Sequence, residues 1–140
     1  FLGKSGTGKS THTGLWLQQF SDCHLLNDDN PIVHVDSLGK QATVFGSPWS
    51  GKTPCYRKES MTVGAFVRLE QAPQNEIEQE RAAHAFATLL PSCSCLKQNK
   101  EIYNAIVATV TELATLAPVY HLKCLPDREA TELCRKTVEG

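Results

Sequence analysis

The spacing of apolar and polar residues predicts four helices distributed along the chain. The first helix is predicted after Lys9, where apolar side chains recur at helical spacing. Trp16 and Phe20 are four residues apart and lie on one face of it. The same periodicity predicts helices over Glu76–Leu90 and Ile102–Leu116. A last helix is predicted over residues 127–138, because an aspartate at its start can cap the first amides.

Strands are predicted between these helices. Pro31–Val35 and Gln41–Phe45 alternate in polarity and flank a polar turn, which is typical of a β-hairpin. Thr62–Leu69 and Val119–Leu125 are rich in β-branched and apolar residues and are predicted to be further strands. A hairpin directly after the first helix breaks the alternation of a doubly wound fold. The pattern therefore favours an α/β fold with a mixed sheet flanked by helices.

The start of the chain contains a phosphate-binding motif. Residues 3–11 read Gly-Lys-Ser-Gly-Thr-Gly-Lys-Ser-Thr, which matches glycine, four residues, glycine, lysine, and then serine or threonine. Glycines allow successive N–H groups to face an anion, while Lys9 brings a charge to the outer phosphates and Ser10 can ligate Mg²⁺. The alternative is a glycine-rich turn with a coincidental lysine. The residues predicted to bind the nucleotide are Gly3, Ser5, Gly6, Thr7, Gly8, Lys9, Ser10 and Thr11.

Two adjacent aspartates, Asp28 and Asp29, form a second candidate site, because they follow the short apolar run Leu25–Asn27. One carboxylate can hold Mg²⁺ together with Ser10, and the other can accept a proton from an attacking hydroxyl. Adjacent residues of a strand point to opposite faces, so the two aspartates are expected to differ in role. The alternative is a solvated acidic turn without a chemical role.

A third candidate feature is the loop of residues 46–58, which is rich in glycine, proline, serine and basic side chains. Its three cations, Lys52, Arg57 and Lys58, are placed to clamp a second anionic group or to steady a transferring phosphoryl group. The alternative is a solvent-exposed basic loop that Trp49 anchors.

Composition narrows the choice of partners. The 140 residues carry a formal net charge of −1, which gives no electrostatic reason to expect nucleic acid or a membrane surface as a partner. An apolar content of 41% is ordinary for a globular chain, so a single domain over residues 1–140 is predicted. Only two residues precede the phosphate loop, so an N-terminal strand and any domain before it are expected to be missing.

The six cysteines are scattered, and no pair has the two-residue gap of a structural zinc site. Cys93 and Cys95 can be interpreted as a metal or redox pair, but small thiols in a reducing compartment are the favoured interpretation. This favours a cytoplasmic location. His12 and His24 are interpreted as structural or exposed histidines.

The phosphate loop followed by Asn27-Asp28-Asp29 resembles the kinase domain of HPr kinase/phosphorylase and the nucleotide-binding end of phosphoenolpyruvate carboxykinases. Residues 47–58 and 89–93 are most similar to uncharacterised bacterial proteins that are grouped with HPr kinases. The resemblance covers most of the chain. It implies a P-loop α/β fold, ATP and Mg²⁺ as cofactors, and a serine-type hydroxyl acceptor on a protein or a small molecule. HPr kinases assemble into rings, so a homo-oligomer is implied as well.

The resemblance also implies roles for individual residues. Lys9 would bind the β- and γ-phosphates, Ser10 would bind Mg²⁺, Asp28 would accept or donate the proton, and Asp29 would help with metal or water. Two departures weaken the resemblance. HPr kinases usually carry an acidic residue where Thr11 stands, and residues 47–51 lack the Glu-x-Arg-Gly type signature. The second metal ligand and HPr itself as the substrate are therefore in doubt.

Three functional hypotheses are compatible with these patterns. The first is a phosphotransferase that moves the γ-phosphoryl of Mg-ATP to a hydroxyl. The second is a nucleotide-binding regulatory or accessory module without transfer, which the missing acidic signature favours. The third is a carboxykinase-like lyase, which needs a basic pocket and a second metal site; only Lys52, Arg57 and Lys58 are available for it.

Overall fold

The computed structural model describes residues 1–28, 30–48, 57–94 and 98–140. Within these ranges the chain forms four α-helices and six strands that are interleaved along the sequence. A short 3₁₀ turn, Leu90–Ser92, follows the second helix. In chain order the elements are α1 (Lys9–Gln19), β1 (Ile32–Asp36), β2 (Gln41–Phe45), β3 (Ser60–Thr62), β4 (Phe66–Gln71), β5 (Glu76–Gln79), α2 (Ala82–Leu89), α3 (Lys100–Leu116), β6 (Val119–Cys124) and α4 (Arg128–Glu139).

The strands form two small three-stranded sheets, so the architecture is mixed α/β with helices flanking both sheets. The first sheet has the order β1-β2-β3 and is entirely antiparallel. The second has the order β4-β6-β5, with β4 parallel and β5 antiparallel to β6. A mixed sheet is therefore present, but the predicted hairpin does not belong to it. The hairpin pairs with β3 in the separate antiparallel sheet.

The local patterns predicted several elements correctly. The hairpin of β1 and β2, the first helix, α3 and β6 lie where the sequence predicted them. Asp127 caps α4 as expected, because its Oδ1 accepts a hydrogen bond of 2.9 Å from the amide of Ala130.

The predicted helix over Glu76–Leu90 is wrong in its first half. Residues 76–79 form β5, and the helix begins only at Ala82. Ile77 lies opposite Leu122 in the pairing of β5 with β6 and packs against the core of the mixed sheet. The glutamates at positions 76, 78 and 80 have a period of two, which is that of a strand with one exposed face.

The predicted strand Thr62–Leu69 is also divided in the structure. Residues 60–62 pair with β2, whereas residues 66–71 pair with β6 in the other sheet. Gly64 lies between the two strands, and nothing would lie within 4 Å of a Cβ added there. One apolar run therefore contributes a strand to each of two sheets. The periodicity of the sequence does not reveal where the chain passes from one sheet to the other.

The two faces of the mixed sheet have different surroundings. Val67, Leu69 and Leu122 are buried on one face together with Cys134 of α4 and the partly buried Trp16 of α1. Val119 points to the other face and joins the second core cluster, which α2 and α3 cover. Beyond Val119 that face becomes polar, because Arg68, Glu70 and His121 occupy it.

The start of the chain is attached to this sheet. Leu2 forms a parallel bridge with Arg68: the amide of Leu2 donates to the Val67 carbonyl at 2.7 Å, and the amide of Leu69 donates to the Leu2 carbonyl at 2.9 Å. The residues after Leu2 therefore emerge at the carboxyl end of β4. Among the described helices, none is long and apolar enough to cross a membrane.

The core of the mixed sheet generates a stability prediction. Leu122 is 0% exposed, so Leu122→Ala should remove buried contacts and leave a cavity, at a cost of about 2–5 kcal/mol in the free energy of unfolding. Leu38 lies in the hairpin turn at 98% exposure and is the matched control, for which Leu38→Ala should change stability by less than about 0.5 kcal/mol. Denaturant unfolding of both variants measures the difference, and equal losses would contradict this description of the core.

Candidate functional site

The loop between Leu2 and α1 has a backbone that requires glycine. Gly6 and Gly8 have φ angles of 85° and 98°, in the left-handed region that favours glycine. Gly3 also has a positive φ, of 154°, and a Cβ there would in addition lie 2.5 Å from Thr7 Oγ1. The Thr7 hydroxyl and amide both donate to the Lys4 carbonyl, at 2.9 and 3.2 Å, and so close the loop on itself. The glycines of the motif thus shape a tight turn at the sheet edge.

The loop is attached to the sheet at a second point. The side-chain amide of Gln71, at the end of β4, donates to the Gly6 carbonyl at 3.2 Å. Together with the Leu2 pairing, this contact holds both the entry and the tip of the loop against β4.

The side chain of Lys9 folds back over this loop. Its Nζ donates to the carbonyl oxygens of Gly3 at 2.6 Å and Lys4 at 3.1 Å. The main chain of the loop therefore fixes the position of this ammonium group.

The amino end of α1 points into the same region. Gly8 is the N-cap residue, and it supplies no side-chain oxygen to the first amides of the helix. Within the described ranges no side chain caps α1 in another way. The amides of the first turn and the positive end of the helix dipole are therefore available to an anion. Ser10 and Thr11 are exposed on this first turn.

His12 belongs to the core rather than to the site. It is 3% exposed, and its Nε2 accepts a hydrogen bond of 3.0 Å from the indole of Trp16. Burial lowers the pKa of His12 to about 4. Within the described residues His12 Nδ1 has no hydrogen-bond partner. The interpretation of His12 as a structural histidine is consistent with this environment.

The acidic turn lies on the cleft in front of the phosphate loop. Asp28 lines this open cleft together with the loop residues and Ser10. Leu25–Asn27 is not a strand, so Asp28 is presented by an irregular segment. The side-chain oxygen of Asn27 accepts a hydrogen bond of 2.7 Å from the Asn30 amide. Asp29 lies outside the described residues, so its predicted role as a metal ligand stays a prediction.

The predicted cation clamp has two described members. Arg57 and Lys58 are exposed, and neither belongs to the described residues that line the cleft. The guanidinium of Arg57 lies 3.5 Å from a carboxylate oxygen of Glu59. Lys52 lies outside the described residues. The clamp therefore stays a prediction.

A polar cluster that sequence reasoning missed lies on the mixed sheet beside the phosphate loop. His121 is 8% exposed, and its Nε2 lies 2.7 Å from Glu70 Oε2, while Arg68 Nη1 lies 3.8 Å from the same oxygen. Arg68 also donates to Glu80 Oε1 at 2.9 Å, and the Thr88 hydroxyl donates to Glu80 Oε2 at 2.6 Å. Residues of this cluster line the same cleft as Asp28 and Lys9.

The sequence carried only one local signal for this cluster, a strand that ends in a carboxylate at Glu70. His121 lies 51 residues further along the chain, and only the parallel pairing of β4 with β6 places it opposite Arg68. No local pattern announces such a pair.

The described residues contain no group of three or more histidine, cysteine, aspartate or glutamate side chains arranged for a metal ion. Free thiols are present at Cys23, Cys124 and Cys134 in the described ranges. Burial raises the pKa of the Cys134 thiol to about 12, so this cysteine is an inert core residue.

Comparison of the chain with protein-family models found no match. Comparisons with curated proteins and with solved structures likewise found no match.

The buried histidine generates a prediction on pH. The ordinary pKa of histidine is 6.5 and that of folded His12 is about 4, so between these values the unfolded chain binds a proton that the folded chain does not. The contribution of neutral His12 is therefore complete above pH 6.5 and is lost as the pH falls towards 4. His12→Gln should flatten the acid side of the stability profile.

The measurement is chemical unfolding of the parent and of His12→Gln at several pH values between 8 and 4. The difference at pH 8 reports the cost of the substitution itself and serves as the internal control. Parallel profiles from pH 8 to pH 4 would contradict the role given to burial.

Proposed function

We propose that the chain binds a nucleoside triphosphate with Mg²⁺ and transfers the terminal phosphoryl group to a hydroxyl acceptor. The single observation that carries the proposal is the loop at residues 3–8. Its glycines take up left-handed angles, its α1 amides lack a side-chain cap, and the ammonium of Lys9 lies over it. These three features favour one ligand chemistry, a polyphosphate, because each supplies positive charge or N–H donors to the same point.

Magnesium fits the residues present. Mg²⁺ bound with phosphates keeps several waters and needs only one or two protein ligands, so a cluster of three carboxylates is not required. The Ser10 hydroxyl on the first turn of α1 and the Asp28 carboxylate line the same cleft. When bound, the ion would neutralise charge on the phosphoryl oxygens.

The proposed reaction uses Asp28 as the proton acceptor. The acceptor oxygen forms a bond to the terminal phosphorus, the bond to the nucleoside diphosphate breaks, and the hydroxyl proton passes to the carboxylate. Asp28 suits this role because it lies on the cleft wall that contains the phosphate loop. Lys9 stabilises the charge of the phosphoryl group in transit.

A nucleotide-binding module without transfer is the second candidate. The observation that favours it is the position of Arg57 and Lys58, the described members of the predicted clamp, which lie away from the cleft lining. A module of this kind would bind nucleotide in the loop but would lack the additional cations that the clamp was predicted to bring to the transferring group. Phosphoryl transfer that depends on Asp28 would exclude it.

Lys9→Ala tests the nucleotide site. We expect turnover to fall by about a hundredfold, or ~3 kcal/mol, because a preorganised charge at the phosphoryl group is lost. The folded protein should lose little stability, since Lys9 Nζ contacts only carbonyl oxygens on an exposed surface of the described chain. Mg-ATP binding by calorimetry, turnover and the melting temperature are the measurements.

Lys100→Ala is the matched control for this experiment. Lys100 is exposed at the start of α3 and does not belong to the described lining of the cleft, so the variant loses the same charge elsewhere. The control should bind Mg-ATP as the parent does. Parent protein that fails to bind Mg-ATP, or equal effects in both variants, would refute the nucleotide site.

Asp28→Asn tests the transfer step. We expect nucleotide affinity to change little while transfer of label from γ-labelled ATP to an acceptor in cell extract falls to a small residual level, because the amide cannot take up the hydroxyl proton. Full turnover in this variant would overturn the assignment of Asp28 as the proton acceptor.

A further inference from the structure

The segment that carries Asp28 is tied to the end of the hairpin by side-chain hydrogen bonds. The side-chain amide of Asn27 donates to the carbonyl of Ser47 at 3.2 Å and to its hydroxyl at 3.1 Å. The Ser47 hydroxyl in turn donates to the Asn30 carbonyl at 2.7 Å, and the Asn30 amide donates to Asn27 Oδ1 at 2.7 Å. These bonds link Asn27, Ser47 and Asn30 into a closed ring.

Ser47 is a firm anchor for this ring. The residue is 3% exposed, and a buried hydroxyl is costly unless it is hydrogen-bonded. Its hydroxyl donates to one end of the turn and accepts from the other. The turn and the end of β2 therefore hold each other in place.

The segment that contains Ser47 is held by a second set of contacts. Residues 46–47 lie against residues 57–59. The Gly46 amide donates to the Glu59 carbonyl at 3.1 Å, and a Cβ at Gly46 would collide with the Arg57 carbonyl oxygen. His24, just before the acidic turn, lies 3.0 Å from a carboxylate oxygen of Glu59. The segment of residues 24–28 therefore contacts both of these short segments, one through Ser47 and the other through Glu59.

We propose that Asn27 and Ser47 are positioning residues that hold the Asp28 carboxylate in the cleft. The catalytic part of this inference rests on the proposed function. Asn27 belongs to the described lining of the cleft and Ser47 does not, and neither is assigned contact with the reacting atoms. They act through Asp28, by fixing the turn on which it stands relative to the phosphate loop.

The rate of the proposed transfer depends on the position of Asp28. A proton acceptor must lie within hydrogen-bonding reach of the attacking hydroxyl, and a misplacement of about 1 Å can cost a hundredfold in rate. Asp28 stands on an irregular segment, not on a helix or strand, so its position depends on contacts outside regular secondary structure. The ring through Asn27 and Ser47 is one set of such contacts.

The test is a double-mutant cycle on turnover of Mg-ATP. Asn27→Ala and Ser47→Ala should each lower turnover by roughly tenfold to a hundredfold, with the affinity for Mg-ATP unchanged. In an Asp28→Asn background the same substitutions should lower turnover by less than about twofold, since the group they position is already absent. Ser47→Thr, which keeps the hydroxyl, should restore most of the turnover.

Asn75→Ala is the matched control. Asn75 makes a similar pair of bonds elsewhere, donating to Asp127 Oδ1 at 3.1 Å and accepting from the Leu125 amide at 2.8 Å. This variant should lose stability without any coupling to Asp28. Full turnover in Asn27→Ala and Ser47→Ala, or equal losses with and without Asp28, would overturn the proposal.

A second measurement separates this proposal from the proposed function. Amide hydrogen exchange at Asn30, read by NMR in the parent and in Asn27→Ala, does not require turnover. Exchange should accelerate in the variant, because the acceptor of that amide is removed. Unchanged exchange would refute the ring even if the protein is active. Faster exchange in a protein that fails to bind Mg-ATP would support the ring and refute the nucleotide site, leaving Asp28 without a catalytic role to be positioned for.

Discussion

The parallel pairing of Leu2 with β4 is the constraint on which the candidate site depends. Two backbone hydrogen bonds, of 2.7 and 2.9 Å, place the residues after Leu2 at the carboxyl end of the mixed sheet. Gln71, at the end of the same strand, then holds the tip of the loop through the Gly6 carbonyl. Because α1 starts directly after the loop, its amide end is aimed at the same edge. The sheet therefore sets the location of the loop, and the loop sets the direction of the helix.

Charge around the cleft is arranged in two parts. One part is positive and local: Lys9 and the uncapped amides of α1. The other is a polar wall in which Glu70 is held by His121 and lies near Arg68. A charged group in such a half-buried setting is stabilised by fixed partners, and fixed partners also keep it from reorganising when a ligand arrives. The cleft thus combines Lys9 and the uncapped amides of α1 with a carboxylate, Glu70, that has side-chain partners.

The elements that the sequence predicted well are those whose signals are local. Alternation around a polar turn predicted β1 and β2, and an aspartate before an amphipathic run predicted the start of α4. Where the pattern of a segment fits both a helix and a strand, pairing with distant strands decides which of the two forms. Glu76–Gln79 carries the acidic residues of a helix start, yet it pairs with β6 because Ile77 can then pack opposite Leu122. The apolar run after Thr62 was divided between two sheets for the same reason, since strand partners are chosen across the fold.

The sequence by itself identified a candidate phosphate-binding loop, because its glycines, lysine and serine stand close together in one short segment. It also made Asp28 a candidate, but it did not reveal the hydrogen bonds next to Asp28. Only the tertiary structure decided that Ser47, 20 residues beyond Asn27, anchors that turn, and that Glu70 meets His121, 51 residues away. The physical reason is that a loop conformation depends on neighbouring residues, whereas contacts across a sheet or between loops depend on register, which is fixed only when the strands pair and the cores pack.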